Sequence, residues 1–399
     1  MNTARTQQVR RRKTFYLPGF DPFPARRYRE LYRSEGADQA RFSGYELTLT
    51  GAGATRWTVD ARMQGAEVHS DFEVLEWADI VRSSMNRSIP STYAMMLRTS
   101  WIYLSSGALR RLMRLRKGPV IAALYPIAIL LGQLLVALIA AWLLWRGISD
   151  ISPVAATVLA IGAIWSLLRL FRRYDNRIFA YYLMHDYAHS AKERGRTPFD
   201  MLKHLAAFED RIRDAVTEDW DEVLVVGHSS GAHLAVQVLA NLIRKGEVAN
   251  DQAVSFLSLG QVVPMVSFLP EAHGLRADLA LMAAQDRIPW VDVTAPGDGC
   301  AFALCDPVLV SGVAPPDKRW PLVLSARFTQ TLSPKRWQEL RWRFFRLHFQ
   351  YLCAFDRPGD YDYFAITAGP LTLGDRFADR QPSPSRIETP VNRYTSVAA

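Results

Sequence analysis

The sequence predicts an α/β fold in which a mostly parallel sheet is flanked by helices and interrupted by an insertion of two apolar helices. Three observations support this prediction. Apolar runs of strand length alternate with helical patterns in both halves of the chain, as is typical of a parallel sheet. The run "VLVVG" at 223–227 is apolar throughout, as expected of a strand buried on both faces. Long stretches without any charged residue occupy the middle of the chain.

The first part of the chain, up to about residue 100, is predicted to contain three strands, a helix and the start of another helix. "TFYLPGF" predicts a strand that ends in a Pro-Gly turn, and "PARRYRELYRSEG" predicts a helix. "YELTLTGAG" predicts a second strand. "FEVLEWADIVRSS" predicts a further strand and the start of a helix. These elements form the first part of the predicted sheet.

Two uncharged runs follow, at 118–145 and 151–168. At about 1.5 Å per residue, the first run is long enough to cross a hydrocarbon core of about 30 Å. The connection "RGISD" is short, so we predict a transmembrane hairpin with helices at about 118–145 and 151–170. An apolar hairpin buried in a soluble core and an apolar lid lying on a bilayer are the alternatives.

Basic residues concentrate on the two outer flanks of this hairpin, and the chain has a formal net charge of +9. The connection carries only Arg146, offset by Asp150. By the positive-inside rule both flanks face the cytoplasm, which in a bacterium means the inner face of the plasma membrane. We therefore expect the lipid bilayer, and not nucleic acid, to account for much of the charge. The flanking cations are Arg110, Arg111, Arg114, Arg116, Lys117, Arg169, Arg172, Arg173 and Arg177.

The second part of the chain resumes the alternation of strands and helices. "PFDMLKHLAAFEDRIRDAV" predicts a helix before the strand "VLVVG", and "AHLAVQVLANLIRKG" predicts one after it. "AVSFLSLG", "PWVDVTAP" and "PLVLSARF" predict later strands. The predicted organisation is a basic arm at 1–13, the first α/β part at 14–100, the hairpin with its flanks at 101–183, the second α/β part at 184–374 and a flexible Pro-, Ser- and Arg-rich tail at 375–399.

The motif "GHSSG" at 227–231 joins the strand "VLVVG" directly to a helix. A nucleophile on such a sharp turn needs small residues around it, because a side chain at Gly227 or Gly231 would meet the neighbouring strand or helix. His228 and Ser229 complete this nucleophile elbow. The strand directs Ser229 to the carboxyl edge of the sheet, where the first N–H groups of the helix stabilise negative charge. We therefore predict Ser229 to be the nucleophile.

With this motif in this context, the chain resembles the α/β-hydrolase superfamily, in its serine esterase and lipase branch, over residues 13–100 and 190–370. The resemblance implies a catalytic serine, acid and histidine in that chain order. His348 follows the strand "PWVDVTAP" and is then the expected base, although a surface position on an Arg-rich helix is the alternative. Asp298, in the loop "TAPGDGCAF", is the preferred acid, and Asp306 and Asp292 remain alternatives.

The resemblance also implies two backbone donors to an oxyanion. One is the N–H of Ser230, the residue after the nucleophile. The other comes from the loop after an early strand, which here reads "YLPGFDPF". Pro18 replaces the histidine that the family often carries before a glycine, whereas Gly19 matches. The second donor is then Phe20, with Asp21 as the alternative.

These residues predict a membrane-anchored serine hydrolase that cleaves carboxylic esters, of lipids or other apolar acyl chains, through an acyl-enzyme. No cofactor is required. An acyl thioesterase and a non-catalytic membrane scaffold with a hydrolase-like fold are the alternatives.

No metal site is predicted. His185 and His189 stand four residues apart in "MHDYAHS", but Asp186 replaces the glutamate of the zinc motif and a third ligand is lacking. The segment instead predicts a helix near the membrane interface. The three cysteines show no metal spacing and fit a reducing compartment; they are Cys300, Cys305 and Cys353.

Overall fold

A computed structural model of the chain describes residues 8–51, 53–248 and 253–398. Within these ranges eight strands form one sheet. The strands are β1 Arg11–Leu17, β2 Glu46–Gly51, β3 Arg56–Met63, β4 Ala66–Val74, β5 Glu222–His228, β6 Val254–Leu259, β7 Trp290–Thr294 and β8 Leu322–Ser325.

The order of the strands across the sheet is β2-β3-β4-β1-β5-β6-β7-β8. From β4 to β8 all neighbouring strands are parallel, whereas β2 and β3 form an antiparallel edge. The chain leaves β1 towards the β4 side and later returns to β5 on the other side of β1. In an open α/β sheet, the crevice at such a reversal is where ligands bind.

Helices cover both faces of the sheet, so the predicted mostly parallel α/β architecture is confirmed. The helices are α1 Arg26–Ser43, α2 Ala78–Met85, α3 Ile89–Ser105, α4 Ala108–Leu115, α5 Lys117–Ile148, α6 Pro153–Arg173, α7 Asp175–Ile178, α8 Ala180–Ala191, α9 Phe199–Val216, α10 Ser230–Lys245, α11 Val263–Ser267, α12 His273–Ala284, α13 Pro307–Val310, α14 Phe328–Thr331, α15 Pro334–Leu340, α16 Phe344–His348, α17 Tyr363–Ala368 and α18 Leu373–Arg376, with one 3₁₀ turn at Gln350–Leu352.

The central strand β5 is buried along its whole length, and its side chains alternate between two cores. Val223 and Val225 belong to the core that α9, α10 and α12 complete. Leu224 and Val226 belong to the core on the opposite face, with α1 and α17. This double burial explains why the strand is apolar without alternation, as the sequence indicated.

The helices α5 and α6 are long and apolar enough to cross a membrane by length and composition. The two helices pack along one another. In the most apolar 18-residue stretch of each helix, however, only 22% (α5) and 17% (α6) is buried within the protein. α5 extends a little beyond the predicted range 118–145. α6 begins at Pro153 because Ser152 caps it, accepting the N–H of Ala155 at 3.3 Å.

The predicted basic arm at 1–13 is wrong for its last residues, which belong to strand β1. Arg12 is fully buried there, and its guanidinium pairs with Glu222 at 2.6 Å. Two backbone carbonyls accept one N–H each from its two terminal nitrogens, so its charge is paired inside the fold and not in solvent. Residues 1–7 lie outside the described part of the chain.

The predicted flexible tail at 375–399 is wrong for the residues that the structure describes. The N–H of Ser383 donates to the carbonyl of Val323 in β8 at 2.9 Å. Ile387 and Val391 pack against an apolar cluster that α4 and α13 share. The composition did not indicate this docking, because isolated apolar residues and backbone hydrogen bonds leave no periodic pattern in a sequence.

Candidate active site

Ser229 lies on a sharp turn between the end of β5 and the start of α10. Its backbone angles are φ 57° and ψ −121°, a conformation that L-residues rarely adopt. A backbone hydrogen bond to the neighbouring strand stabilises the turn, since the N–H of Ser229 donates to the carbonyl of Leu259 in β6 at 2.9 Å. The strained turn thus presents the serine at the carboxyl edge of the sheet.

Two glycines make this turn possible, because the chain passes too close to its neighbours for any side chain. A Cβ added at Gly227 would lie 2.8 Å from the Cα of Ala232. A Cβ added at Gly231 would lie 2.1 Å from the carbonyl oxygen of Leu17, at the end of β1. The predicted reason for both glycines, a steric one, is therefore present in the structure.

The loop after β1 lies directly over Ser229. A Cβ added at Gly19 would lie 2.9 Å from the Cβ of Ser229 and 3.3 Å from its Oγ. The carbonyl of Pro18 accepts the indole N–H of Trp77 at 3.0 Å, and the carbonyl of Phe20 accepts the hydroxyl of Tyr182. The loop is therefore anchored through its carbonyl groups.

Several backbone N–H groups near Ser229 have no acceptor among the described residues. In the part of the chain that the structure describes, the N–H groups of Phe20 and Asp21 have no protein acceptor. Ser230 opens α10, so its N–H belongs to the free N-terminal set of that helix. Both oxygens of the Asp21 carboxylate already accept hydrogen bonds, one from the N–H of Phe23 at 2.9 Å and the other from the hydroxyl of Tyr28 at 2.7 Å.

His348 is the last residue of α16 and is paired with Asp298. Its Nδ1 lies 2.7 Å from Oδ2 of Asp298. The same oxygen accepts the hydroxyl of Tyr351 at 3.0 Å, and Oδ1 accepts the N–H of Cys300 at 2.9 Å. Burial raises the pKa of Asp298, but His348 and these donors outweigh burial, so that the pKa is lowered overall. The carboxylate is therefore ionised and orients the imidazole.

The two other aspartates considered for this position make different contacts. Asp306 caps α13 and accepts the N–H groups of Val308 and Leu309, and it also pairs with Lys318 at 2.9 Å. Asp292 lies within β7 and accepts the hydroxyl of Ser258 at 2.6 Å. Burial raises the pKa of Asp292 to about 8. Within the described ranges, neither of these carboxylates contacts His348.

Ser229 and His348 line one cavity of about 60 Å³, together with Phe20 and Ser230. The described contacts include no hydrogen bond between Ser229 and His348. Catalytic pairs of this kind are often long in ligand-free proteins and tighten when a substrate binds. Among the described residues Nε2 of His348 has no hydrogen-bond partner, so this atom can accept the proton of a hydroxyl group that attacks a carbonyl.

His228 supports His348, a role that the motif did not indicate. Its Nε2 lies 3.0 Å from the carbonyl oxygen of His348, and the two rings are 4.8 Å apart. Burial, followed by the proximity of His348, lowers the pKa of His228 to about 3. The neutral ring therefore donates to that carbonyl. Tyr351 was also missed, because nothing in its local sequence indicates a contact with Asp298.

The cavity wall is mostly apolar, and part of it comes from the segments that border the two apolar helices. Pro119 contributes from the first turn of α5, and Leu183 and Tyr187 contribute from α8. Gly118 packs against the loop of Asp298, since a Cβ there would lie 3.2 Å from a backbone oxygen of that loop. The helix α8, predicted near a membrane interface, thus covers the site.

The two histidines of "MHDYAHS" make different contacts. Nδ1 of His185 lies 3.1 Å from the hydroxyl of Ser84, whereas the ring of His189 packs near Phe20 and Trp77.

Another possible metal cluster joins Asp298, Cys300 and His348, whose ligand atoms all lie within 4.8 Å of one another. Two of these atoms are already joined directly, by the hydrogen bond of 2.7 Å between Asp298 and His348. Burial raises the pKa of the Cys300 thiol well above its ordinary value. The contacts are those of an acid–base pair.

The fold and the site define an α/β protein with a serine, a histidine and an aspartate grouped at the carboxyl edge of its sheet. Comparisons of the chain with models of protein families, with curated proteins and with solved structures found no match.

Proposed function

We propose that this protein is a membrane-anchored serine hydrolase of the α/β-hydrolase superfamily that cleaves carboxylic esters of lipids or other apolar acyl chains. One observation carries the proposal. Ser229 occupies a strained strand-to-helix turn, and it shares a cavity with a histidine that is hydrogen-bonded to a buried, ionised Asp298. Structural serines are rarely held in such a conformation, since its energetic cost has to be offset by the surrounding fold.

The reaction follows from the positions of these groups. Oγ of Ser229 attacks the ester carbonyl while Nε2 of His348 takes the hydroxyl proton, and Asp298 stabilises the imidazolium. The N–H groups of Phe20 and Ser230 donate to the oxyanion. His348 then protonates the departing alcohol, which leaves an acyl-enzyme. A water molecule, deprotonated by the same imidazole, releases the carboxylic acid and restores Ser229.

Membership of the superfamily is supported by the chain order and by the sheet. Ser229, Asp298 and His348 follow β5, β7 and β8 in the order serine, acid, histidine. The loop that supplies Phe20 follows β1, the direct neighbour of β5. Phe20 therefore lies close to the point where the strand order reverses, which supports its assignment as an oxyanion donor.

The membrane anchor in this proposal is the pair α5 and α6. Many of their large apolar side chains are exposed, for example Leu135 at 58% and Trp142 at 61%. Arginines and lysines flank the outer ends of the pair, so the catalytic part lies on the cytoplasmic side. Because Pro119 at the base of α5 lines the cavity, the anchor keeps the site next to esters in the bilayer.

The first test is covalent labelling of the detergent-solubilised protein with a fluorophosphonate probe. We expect the native protein to be labelled and Ser229→Ala to be unlabelled, because only an activated serine reacts with the probe. Ser190→Ala is the matched control, since its hydroxyl lines the same cavity without a histidine partner, and it should remain labelled.

Absence of labelling in a folded native protein would favour the non-catalytic scaffold. With labelling established, parallel series of esters and thioesters of increasing chain length distinguish an esterase from a thioesterase by their kcat/KM values.

A further inference from the structure

Another cavity, of about 100 Å³, lies between α2, α3 and the C-terminal end of α8. Among the described residues, none of those that line it also lines the candidate active site. Its wall contains three basic residues, Arg87, Arg98 and Lys192, and one acidic residue, Asp200. Cations therefore outnumber anions in this wall.

The two arginines of this wall have unused hydrogen-bond donors. In the part of the chain that the structure describes, the guanidinium of Arg87 forms no ion pair and no hydrogen bond. Nη2 of Arg98 donates to the carbonyl of Lys192 at 2.8 Å, which leaves its other N–H groups free. Asp200 is paired with Lys192 at 3.5 Å and contacts neither arginine. The free N–H groups of both guanidiniums are thus available to an anion.

Hydroxyl groups add neutral donors to the same wall. Thr99 is only 5% exposed, and its hydroxyl has no hydrogen bond to any described residue. Ser83 and Ser84 line the cavity from α2. Buried polar groups are almost always satisfied by protein, water or a ligand, and phosphate oxygens accept hydrogen bonds from guanidinium and hydroxyl groups alike. This set of donors therefore suits a phosphate group.

A cation from α6 adds to the positive charge at this cavity. Nη2 of Arg172, in the last turn of α6, donates to the carbonyl of Met85 at the end of α2 at 3.3 Å. Arg87 follows Met85 by two residues. Burial, followed by the proximity of Arg87 and Arg172, lowers the pKa of His185 to about 4. This shift agrees with a local excess of positive charge.

The cavity lies beside the end of α6 that we propose to be cytoplasmic. Met96 of α3 and Leu168 of α6 belong to one apolar cluster. Leu97 and Trp101, in the turn of α3 that contains Arg98, are 65% and 71% exposed. Exposed apolar and aromatic side chains beside cations are typical of the membrane interface, where lipid phosphates lie. This position favours a lipid headgroup over a soluble phosphate compound.

We propose that this cavity binds the phosphate group of an anionic phospholipid of the cytoplasmic leaflet, with Arg87, Arg98 and Thr99 as donors. A water molecule needs roughly 10–15 Å³ of such volume, so about 100 Å³ has room for a phosphate and the atoms bonded to it. The proposal rests on the membrane anchor proposed above and does not depend on the hydrolase reaction.

The test measures binding of dioleoyl phosphatidylglycerol and dioleoyl phosphatidylcholine to the full chain in mild detergent by native mass spectrometry. We expect tighter binding of phosphatidylglycerol, because the choline cation of the other lipid is repelled by the arginines. Arg87→Gln and Arg98→Gln should each weaken the binding of phosphatidylglycerol by about tenfold, as the loss of a hydrogen bond to a charged group does. Arg110→Gln is the control, since it removes the same charge from an exposed position outside the cavity and should bind like the native protein.

Arg87 is exposed and unpaired among the described residues, so Arg87→Gln should fold, and thermal unfolding without added lipid verifies this. Equal affinity of the native protein for the two lipids, or an unchanged affinity for phosphatidylglycerol in both arginine variants, overturns the proposal. Displacement of phosphatidylglycerol by an equal concentration of inorganic phosphate assigns the site to a soluble phosphate and also overturns it. A native protein that stays in solution without detergent removes the anchor and this proposal together, whereas fluorophosphonate labelling tests the hydrolase separately.

Discussion

At the residue scale, three buried aspartates lie near the carboxyl edge of the sheet, and their partners separate their roles. Asp298 contacts His348, Asp306 caps a helix and Asp292 binds the hydroxyl of Ser258. The lowered pKa of Asp298 keeps it ionised at neutral pH, whereas the raised pKa of Asp292, about 8, keeps that group protonated. Only an ionised group stabilises an imidazolium, which favours Asp298 as the acid.

We expect Asp298→Asn to lower kcat for ester hydrolysis by about 10³–10⁴-fold, because the amide no longer holds His348 in the reactive tautomer. Asp306→Asn is the matched control. It removes the ion pair with Lys318 and should affect stability more than kcat. Steady-state kinetics on one ester at neutral pH, with circular dichroism to verify folding, checks both. A larger loss of kcat in Asp306→Asn would reassign the acid.

At the element scale, the active turn depends on the contact between β1 and the first turn of α10. The helix begins at Ser230, directly after the nucleophile, so no loop separates strand from helix. Its second residue, Gly231, meets the end of β1 without space for a methyl group. The same contact positions the loop of Phe20 over Ser229. The proposed nucleophile and the proposed oxyanion donors therefore belong to one packing unit.

Gly231→Ala tests this unit. The added methyl group would displace β1 or α10, so we expect a loss of about 2–4 kcal/mol in the free energy of unfolding and loss of fluorophosphonate labelling. Gly274→Ala in α12 is the control, because no atom lies within 4 Å of its added Cβ. That change should be neutral or stabilise the helix by up to about 1 kcal/mol. Urea unfolding in detergent measures both, and equal stability of the two variants would contradict the packing argument.

At the scale of the whole molecule, the segments at the two ends of the apolar hairpin line one side of the candidate site. The base of α5 supplies Pro119 and touches the loop of Asp298 through Gly118. α8, which follows α6 after one short helix, supplies Leu183 and Asp186. The insertion is thus part of the cavity as well as the proposed anchor, and we expect substrates to meet the site at the membrane surface.

The proposed topology predicts which positions are accessible from outside a bacterial cell. In a variant whose native cysteines are replaced by alanine, Asp150→Cys in the connection should react with an impermeant maleimide in intact spheroplasts. Arg177→Cys on the flank should react only after permeabilisation, because it lies on the cytoplasmic side. Glu67→Cys, exposed in the catalytic part, is the control and should behave like Arg177→Cys. Labelling of Arg177→Cys in intact spheroplasts would contradict this orientation.

Local patterns along the chain predicted the parallel α/β sheet, the two apolar helices and the elbow at Ser229. These features depend on the periodicity of apolar residues and on steric limits within a few neighbouring residues, and both are written in contiguous sequence. The strand β3, with its alternating burial, and the docked tail escaped prediction. So did the end of the basic arm, because the partner of Arg12 lies more than two hundred residues away.

Tertiary structure alone decided which side chains meet. The sequence favoured Asp298 as the acid but left Asp306 and Asp292 open, and the fold brings Asp298 to His348. The support of His348 by His228 and the contact of Tyr351 with Asp298 likewise join distant segments. The physical reason is that contacts between segments far apart in the chain depend on how the sheet and its helices pack, which local periodicity does not specify.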